Sequence, residues 1–295
     1  MPELPEVETT VNQLKKKVPG RTFINVWTDA SKIIKKPKNF EEFKKNIKGK
    51  KIQKIWRRGK NIIFDLSGGL SLLIHQKLTG HLLIGNWATQ RVPRIGNWEP
   101  LNKGPLQDLV NRYIHLIFWL SGDLMLALSD LRKFAKVELW NQDKLENSKE
   151  FKELGLEPLE KDFTFEKFKE VIAKKQGKIK QILMNQNVIA GIGNIYSDEI
   201  LWEAKIHPFQ NISKLKEDNL KKIYEAMKKI LKKAIELGGE SISDFRDTEG
   251  KKGRFDILRK VYRREGEKCS RCGTIIKRIK IGGRSAHFCP KCQKI

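Results

Sequence analysis

All four cysteines of this 295-residue chain lie near its C-terminal end, as Cys269-x2-Cys272 and Cys289-x2-Cys292 with sixteen residues between the pairs. Two such knuckles let four thiolates converge tetrahedrally on one zinc ion, and the stretch between them is long enough for a β-hairpin turning at Gly282-Gly283. A segment this short buries too little apolar surface to fold alone, so metal affinity would supply its folding free energy. A disulfide pair or a redox dithiol is the competing reading; an otherwise cysteine-free chain in a reducing compartment weighs against it. His287 stands close to Cys289, but four ligands are already present. Lys277, Arg278, Lys280 and Arg284 make the hairpin basic, which suits contact with nucleic acid.

The rest of the chain shares that bias. Sixty Lys and Arg against 35 Asp and Glu leave a net charge of +25. The cations recur along the whole chain, from Lys15–Lys17 through Arg57-Arg58 and Lys174-Lys175 to Lys251-Lys252. A soluble chain of this kind meets a polyanion, because neutralising phosphates releases counterions; host composition is the bland alternative. No apolar run approaches the roughly 20 residues of a membrane span. The opening Met1-Pro-Glu-Leu-Pro-Glu carries acids where a signal peptide is basic, so a cytoplasmic protein without membrane partners is expected.

Val7, Val11, Leu14 and Val18 recur at helical spacing and stop at Pro19-Gly20. From 22 to about 140 the pattern changes to short β-type runs at 23–27, 51–56, 61–66, 71–75, 114–120, 124–129 and 136–140, a β-sandwich or barrel behind a leading helix. Residues 86–111, rich in Gly, Pro, Asn and Trp, show no period and read as a long surface loop of unassigned role. Helical patterns dominate from Phe165, ending with 220–237. A domain boundary is expected within 142–160, and the glycine-bearing stretch 240–254 reads as mobile.

The N-terminus itself has chemistry. A small second residue permits removal of Met1, which leaves Pro2 with a secondary amine. An α-amine titrates near 7.7–8.0 and a lysine near 10.4, so at pH 7 far more of the former is the free base that attacks carbon. Glu3 beside it can give or take a proton, and the positive end of the first helix favours the neutral amine. Pro2 and Glu3 are thus a candidate nucleophile and its acid.

The opening Pro2-Glu3-Leu4-Pro5-Glu6-Val7-Glu8 resembles the mature N-terminus of the formamidopyrimidine-DNA glycosylase family. Arg57-Arg58-Gly59-Lys60 resembles that family's catalytic-lysine turn, and Asp130-Leu131-Arg132-Lys133-Phe134 its wedge loop. Ala190-Gly191-Ile192-Gly193-Asn194-Ile195-Tyr196 resembles its helix-two-turn-helix turn, and the zinc hairpin with Arg284 its C-terminal finger. The likeness runs through essentially the whole chain in the family's order.

The resemblance implies an α+β, multidomain protein: a helix and β-sandwich at 1–141, a linker at 142–160, a helix-two-turn-helix region at 161–262 with a lid at 240–254, and a zinc finger at 263–295. It implies a bifunctional glycosylase and abasic-site lyase, a monomer on double-stranded DNA, that flips out an oxidised purine. Pro2 would form a Schiff base at C1′, helped by Glu3, Lys60 and Arg284, with one structural zinc on the four cysteines. Leu78, Arg132 and Phe134 would fill the vacated stack; Tyr113, Lys175 and Asn194 would contact DNA; Glu6 would face the extruded base. Leu78, Tyr113 and Ala135 depart from the usual Met, His and Gly. An oxidised-pyrimidine enzyme of the endonuclease VIII-like branch and a non-catalytic DNA-binding zinc protein are the alternatives; Leu4 speaks against the first, and retention of Pro2, Glu3 and Lys60 against the second.

Overall fold

The structure is a computed structural model that describes residues 1–89, 98–242 and 244–295. It divides into two compact units, Met1–Lys152 with Leu237–Arg254, and Glu153–Glu236 with Phe255–Ile295.

In the first unit, α1 (Leu4–Lys17) starts on a capping box between Glu3 and Glu6, with a proline in its first turn and Lys15–Lys17 against the negative end of its dipole. Its apolar stripe of Val7, Val11 and Leu14 is fully buried. There follow β1 (Phe23–Thr28), β2 (Ile34–Lys36), α2 (Phe40–Ile47), β3 (Ile52–Arg58), β4 (Asn61–Leu66), β5 (Leu70–His75), β6 (His81–Gly85), β7 (Trp87–Thr89), β8 (Trp98–Pro100), β9 (Ile114–Leu120), β10 (Leu124–Ser129) and β11 (Lys136–Asn141). Two separate sheets form, β1-β9-β10-β6 and β2-β11-β5-β4-β3, so the fold is a sandwich and not a barrel. Phe23, Val26, Phe118 and Leu126 from the first sheet meet Ile55, Phe64, Leu72 and Val137 from the second in one core, closed by the stripe of α1.

The second sheet is apolar on both faces. Ile63 and Leu73 on its outer side are covered by Leu145 of α3 (Gln142–Glu146) and Phe151 of α4 (Lys149–Lys152). Residues 142–152, read from sequence as linker, are therefore a lid on the sheet; helices this short carry no readable period. The aperiodic segment 86–111 also has structure outside 90–97, which lie beyond the described residues. The β7–β8 hairpin lays Trp87 and Trp98 on the outer face of the first sheet, with Trp98 edge-on to Trp27 and Trp119 at 5.1 and 5.8 Å.

The strap Leu237–Arg254 groups with this unit and not with the helical one, where the sequence placed 240–254. It is also tied down: the Ile84 N–H donates to the Thr248 carbonyl at 2.7 Å, and Gln13 and Lys17 of α1 bond its residues 247–249.

The second unit holds α5 (Phe165–Ala173), α6 (Ile179–Met184), α7 (Asn194–Glu203), α8 (Glu217–Glu236), β12 (Lys277–Ile281) and β13 (Arg284–Phe288). The α6–α7 connection is laced by Gln186, whose amide donates to the Met184 and Ile192 carbonyls and accepts from the Gly191 N–H. Strands β12 and β13 pair antiparallel around Gly282 and Gly283, both with positive φ as the tight turn requires. Among the described residues no helix is long and apolar enough to cross a membrane.

Candidate active site and nucleic-acid interface

Pro2, Glu3 and Glu6 are buried at the head of α1. Glu6 spends both carboxylate oxygens on backbone: Oε2 accepts from the Glu3 N–H at 2.7 Å and Oε1 from the Glu240 N–H of the strap at 2.8 Å. The Gly239 φ of +80° brings the strap so close that a Cβ there would lie 2.7 Å from Glu6 Oε1. In the full chain the terminal amine belongs to Met1. Burial holds it below its ordinary value; Lys60 adds to that effect, while Glu3, Glu6 and Asp244 oppose it. A terminal amine, two carboxylates and a lysine are thus brought into one electrostatic neighbourhood.

Lys60, itself buried, sits on the β3–β4 turn, which is held to α1 by Arg57. The Arg57 Nε donates to Glu8 Oε2 at 2.6 Å and its Nη1 to the Gly59 carbonyl at 3.0 Å. His75, paired in register with Asn61 on β4 and Lys136 on β11, is held down to about 3 by burial and then by the charges of Lys77, Lys60 and Lys136. Sequence reasoning passed over His75. Only the strand register shows it at the Lys60 end of the sheet.

Leu78, Arg132 and Phe134 are exposed, Leu78 by 36% and Phe134 by 54%. Taken without the family likeness, Leu78 and Phe134 would have been core; they face solvent because fully buried Asp130 shapes their loops. The Thr79 hydroxyl donates to Asp130 Oδ1, and the Ala135 N–H donates to Oδ2 at 2.8 Å; the Arg132 N–H lies 3.1 Å from the Thr79 hydroxyl. One carboxylate therefore joins the Leu78 loop to the Arg132–Phe134 loop. The left-handed residue is Lys133, at φ 55°, and Ala135 carries no positive φ, so glycine is not required there. Tyr113 is half-buried where its carbonyl accepts the Asp130 N–H at 2.8 Å.

In the second unit, Asn194 opens α7 and lines a cavity of about 600 Å³ with Tyr262, Arg263, Glu265, Arg278, Ser285 and His287. A helix N-terminus with basic neighbours favours phosphate. Arg284 is exposed at the hairpin tip, next to Ser285. Lys175 is half-buried and does not line this cavity. Tyr262 was missed from sequence, and its position depends on Glu199. That carboxylate accepts the N–H groups of Lys260, Val261 and Tyr262 at 2.8–3.0 Å, while burial pushes its pKa up. Its neighbour Asp198 pairs with buried Lys180 and accepts the backbone N–H and Nδ1 of His287 at 2.9 and 3.0 Å.

The four cysteine sulfurs lie within 4.8 Å of one another. Burial and the neighbouring Cys272 and Cys289 push the Cys292 thiol up to about 12. Four thiolates this close need a divalent cation to hold their charge, so the donor set fits one structural Zn2+ on Cys269, Cys272, Cys289 and Cys292. His287 points elsewhere, to Asp198 and Glu265.

These features define a class: a two-unit protein whose β-sandwich is led by a helix with Pro2 and Glu3 buried at its head, and whose helical unit ends in a four-cysteine zinc finger. Residues 1–137 match the formamidopyrimidine-DNA glycosylase N-terminal domain, 154–246 its H2TH domain, and 266–295 the zinc finger found in FPG and IleRS. A formamidopyrimidine-DNA glycosylase of Pelotomaculum thermopropionicum is 39% identical over the full length of both chains. The structure of Lactococcus lactis Fpg with abasic-site DNA superposes with a TM-score of 0.84 at 36% identity, over 99% of this chain and all of that one. A MutM complex with carbocyclic 8-oxo-G DNA matches at 0.84 and 37% identity, over all of both chains. The chain belongs to the formamidopyrimidine-DNA glycosylase family.

Proposed function

We propose that this chain is a DNA-repair glycosylase that removes oxidised purines from duplex DNA and then cleaves the strand at the resulting abasic site. The observation that carries the reading is the head of α1, where Pro2 and Glu3 are buried, Glu6 accepts the Glu3 N–H at 2.7 Å, and buried Lys60 bears electrostatically on the chain terminus. Once Met1 is removed, the Pro2 nitrogen attacks C1′ of the flipped nucleotide and the bond from C1′ to the base breaks, the base leaving with the electron pair and a proton. Glu3 protonates the ring oxygen as the sugar opens, which gives an iminium. That cation acidifies the C2′ proton; its loss expels the 3′ phosphate by β-elimination, and δ-elimination then expels the 5′ phosphate.

The other site residues serve the substrate. Lys60 neutralises phosphate charge next to the amine. Leu78, Arg132 and Phe134, exposed on two loops joined by Asp130, fill the vacated stack. Asn194, Tyr262 and Arg284 hold phosphate on the second unit, and Lys175 adds long-range attraction. The zinc ion, when bound, shapes the hairpin that carries Arg278 and Arg284 and takes no part in the chemistry. The protein acts as a monomer on DNA in the cytoplasm.

Borohydride trapping tests this on duplexes carrying 8-oxoguanine, a formamidopyrimidine or an abasic site. A covalent adduct is expected with each, and Pro2→Gly or an extra residue ahead of Pro2 abolishes it while DNA binding persists. Unchanged trapping by those variants would remove Pro2 from the mechanism.

A further inference from the structure

The strap is clamped from two sides. Toward α1, Gln13 Nε2 donates to Asp247 Oδ2 at 2.9 Å, and Gln13 Oε1 accepts the Thr248 N–H and hydroxyl at 2.8 Å each. Toward residues 105–111, Arg246 Nε donates to Asp108 Oδ2 at 3.0 Å, with the Arg246 side chain only 4% exposed. Buried Asn111 donates to the Pro105 carbonyl at 2.9 Å and the Gly250 carbonyl at 3.4 Å, and its Oδ1 lies 2.9 Å from His81 Nε2. Gly250 has a φ of +81°, and a Cβ on it would lie 2.7 Å from Asn111 Nδ2 and 2.8 Å from the Pro105 carbonyl oxygen. The rear of the strap is thus moulded on the segment to which the sequence assigned no role. Its front bonds Glu6 through Glu240 and brings Asp244 to bear on the terminal amine.

We propose that residues 105–111 are a specificity-determining buttress, in which Asp108 and Asn111 are positioning residues that set the strap against the amine site for nucleotides still carrying their base. The inference rests on the glycosylase reading above and deepens it. The carbon that the amine attacks also bears the base. A base-bearing and an abasic nucleotide therefore differ in whether a bulky group must be accommodated among the walls of this site. The strap is a wall held largely by side chains, one ion pair and one buried amide among them. Loosening those contacts moves the wall without touching Pro2, Glu3 or Lys60.

The test is single-turnover kinetics of the full chain on two duplexes, one with 8-oxoguanine and one with a preformed abasic site. Asp108→Asn and Arg246→Gln are expected to slow base excision about tenfold while abasic cleavage stays within about twofold. The charge-swapped D108R/R246D should recover most of the lost rate. Gly250→Ala, which presses on Asn111 from the strap, should give the same split without altering the Asp108 pair. Equal slowing on both duplexes, no slowing on either, or a swap no better than its single variants would each overturn the proposal. Failure of the wild-type protein to form a trapped adduct would instead overturn the glycosylase reading beneath it.

Discussion

Lys180 and Asp198 are both 0% exposed, and Asp198 also bonds the zinc hairpin through the His287 backbone and ring. Replacing Asp198 with Ala removes the carboxylate that pairs with the buried Lys180 ammonium and strips the His287 N–H of its acceptor. Breaking one side of a buried pair costs about 3–5 kcal/mol, and an orphaned buried donor about 1–3 kcal/mol. The two losses overlap, so about 5 kcal/mol is expected, on the order of 10 °C in Tm. Removing both charges is a different perturbation: Lys180→Met with Asp198→Asn keeps an acceptor for His287 and buries no charge, so it should cost only about 1–2 kcal/mol. Urea unfolding of the zinc-loaded protein measures both, with zinc content assayed alongside so that loss of the finger is counted separately. If Asp198→Ala stays within about 1 kcal/mol of wild type, or the double variant is no better than the single, the pair is not the clasp described here.

The same geometry makes other outcomes checkable. Glu3→Gln should slow excision of an intact damaged base by about 100-fold or more and abasic cleavage much less, by single-turnover assay; equal slowing would take the acid's role from Glu3. Phe134→Ala should shift stability by no more than about 0.5 kcal/mol, since the ring is exposed, yet lower cleavage of lesion-bearing duplex; a large fall in Tm would make Phe134 a core residue. Chelating zinc should unfold the hairpin and weaken DNA binding, and normal binding by the metal-free protein would show the finger dispensable. His75 takes up a proton near 6.5 when unfolded but only near 3 when folded. The His75 contribution to stability should therefore be flat above pH 6.5 and fall as pH drops toward 3, by at most about 1.4 kcal/mol per pH unit. His75→Gln should flatten that slope, and an unchanged slope in thermal melts across pH 4–7 would assign it to other groups.

Strands β4, β9 and β10 were legible to the residue because apolar runs ended at Gly68-Gly69 and Ser121-Gly122-Asp123. The finger was legible because four sulfurs at that spacing have one common chemistry. Helix α2 was readable and missed: Asn39 caps the Glu42 N–H at 3.0 Å, and Phe40, Phe43 and Ile47 follow at helical spacing. The seat of the strap was not readable, since Gln13 and Asp108 lie more than a hundred residues from Thr248 and Arg246 and no local pattern announces them. Nor was the part Asp130 plays: it opens the wedge-loop motif, but no local pattern shows its carboxylate bonding Thr79 and the Ala135 N–H.

What the sequence concealed shares a physical cause. Glu6, Asp130, Asp198 and Glu199 are each almost wholly buried, and each accepts backbone N–H groups that fix a loop or strand near a candidate binding surface. A carboxylate spent on amides inside the protein is a clasp. It also stays out of direct contact with a polyanion. Most lysines and arginines remain outside, with Lys60, Lys180 and Arg246 the buried ones among the described residues, so the surface groups that meet DNA are mainly cationic. The buried acids thus do two things at once: Asp130 sets the loops that present Leu78, Arg132 and Phe134, Asp198 and Glu199 fix His287 and Tyr262 beside Asn194, and all of them leave the faces around those residues to cations. Exchanging one of them for its amide would disturb a loop, whereas adding a new acid beside those loops would repel DNA; the two changes should be distinguishable by the salt dependence of binding.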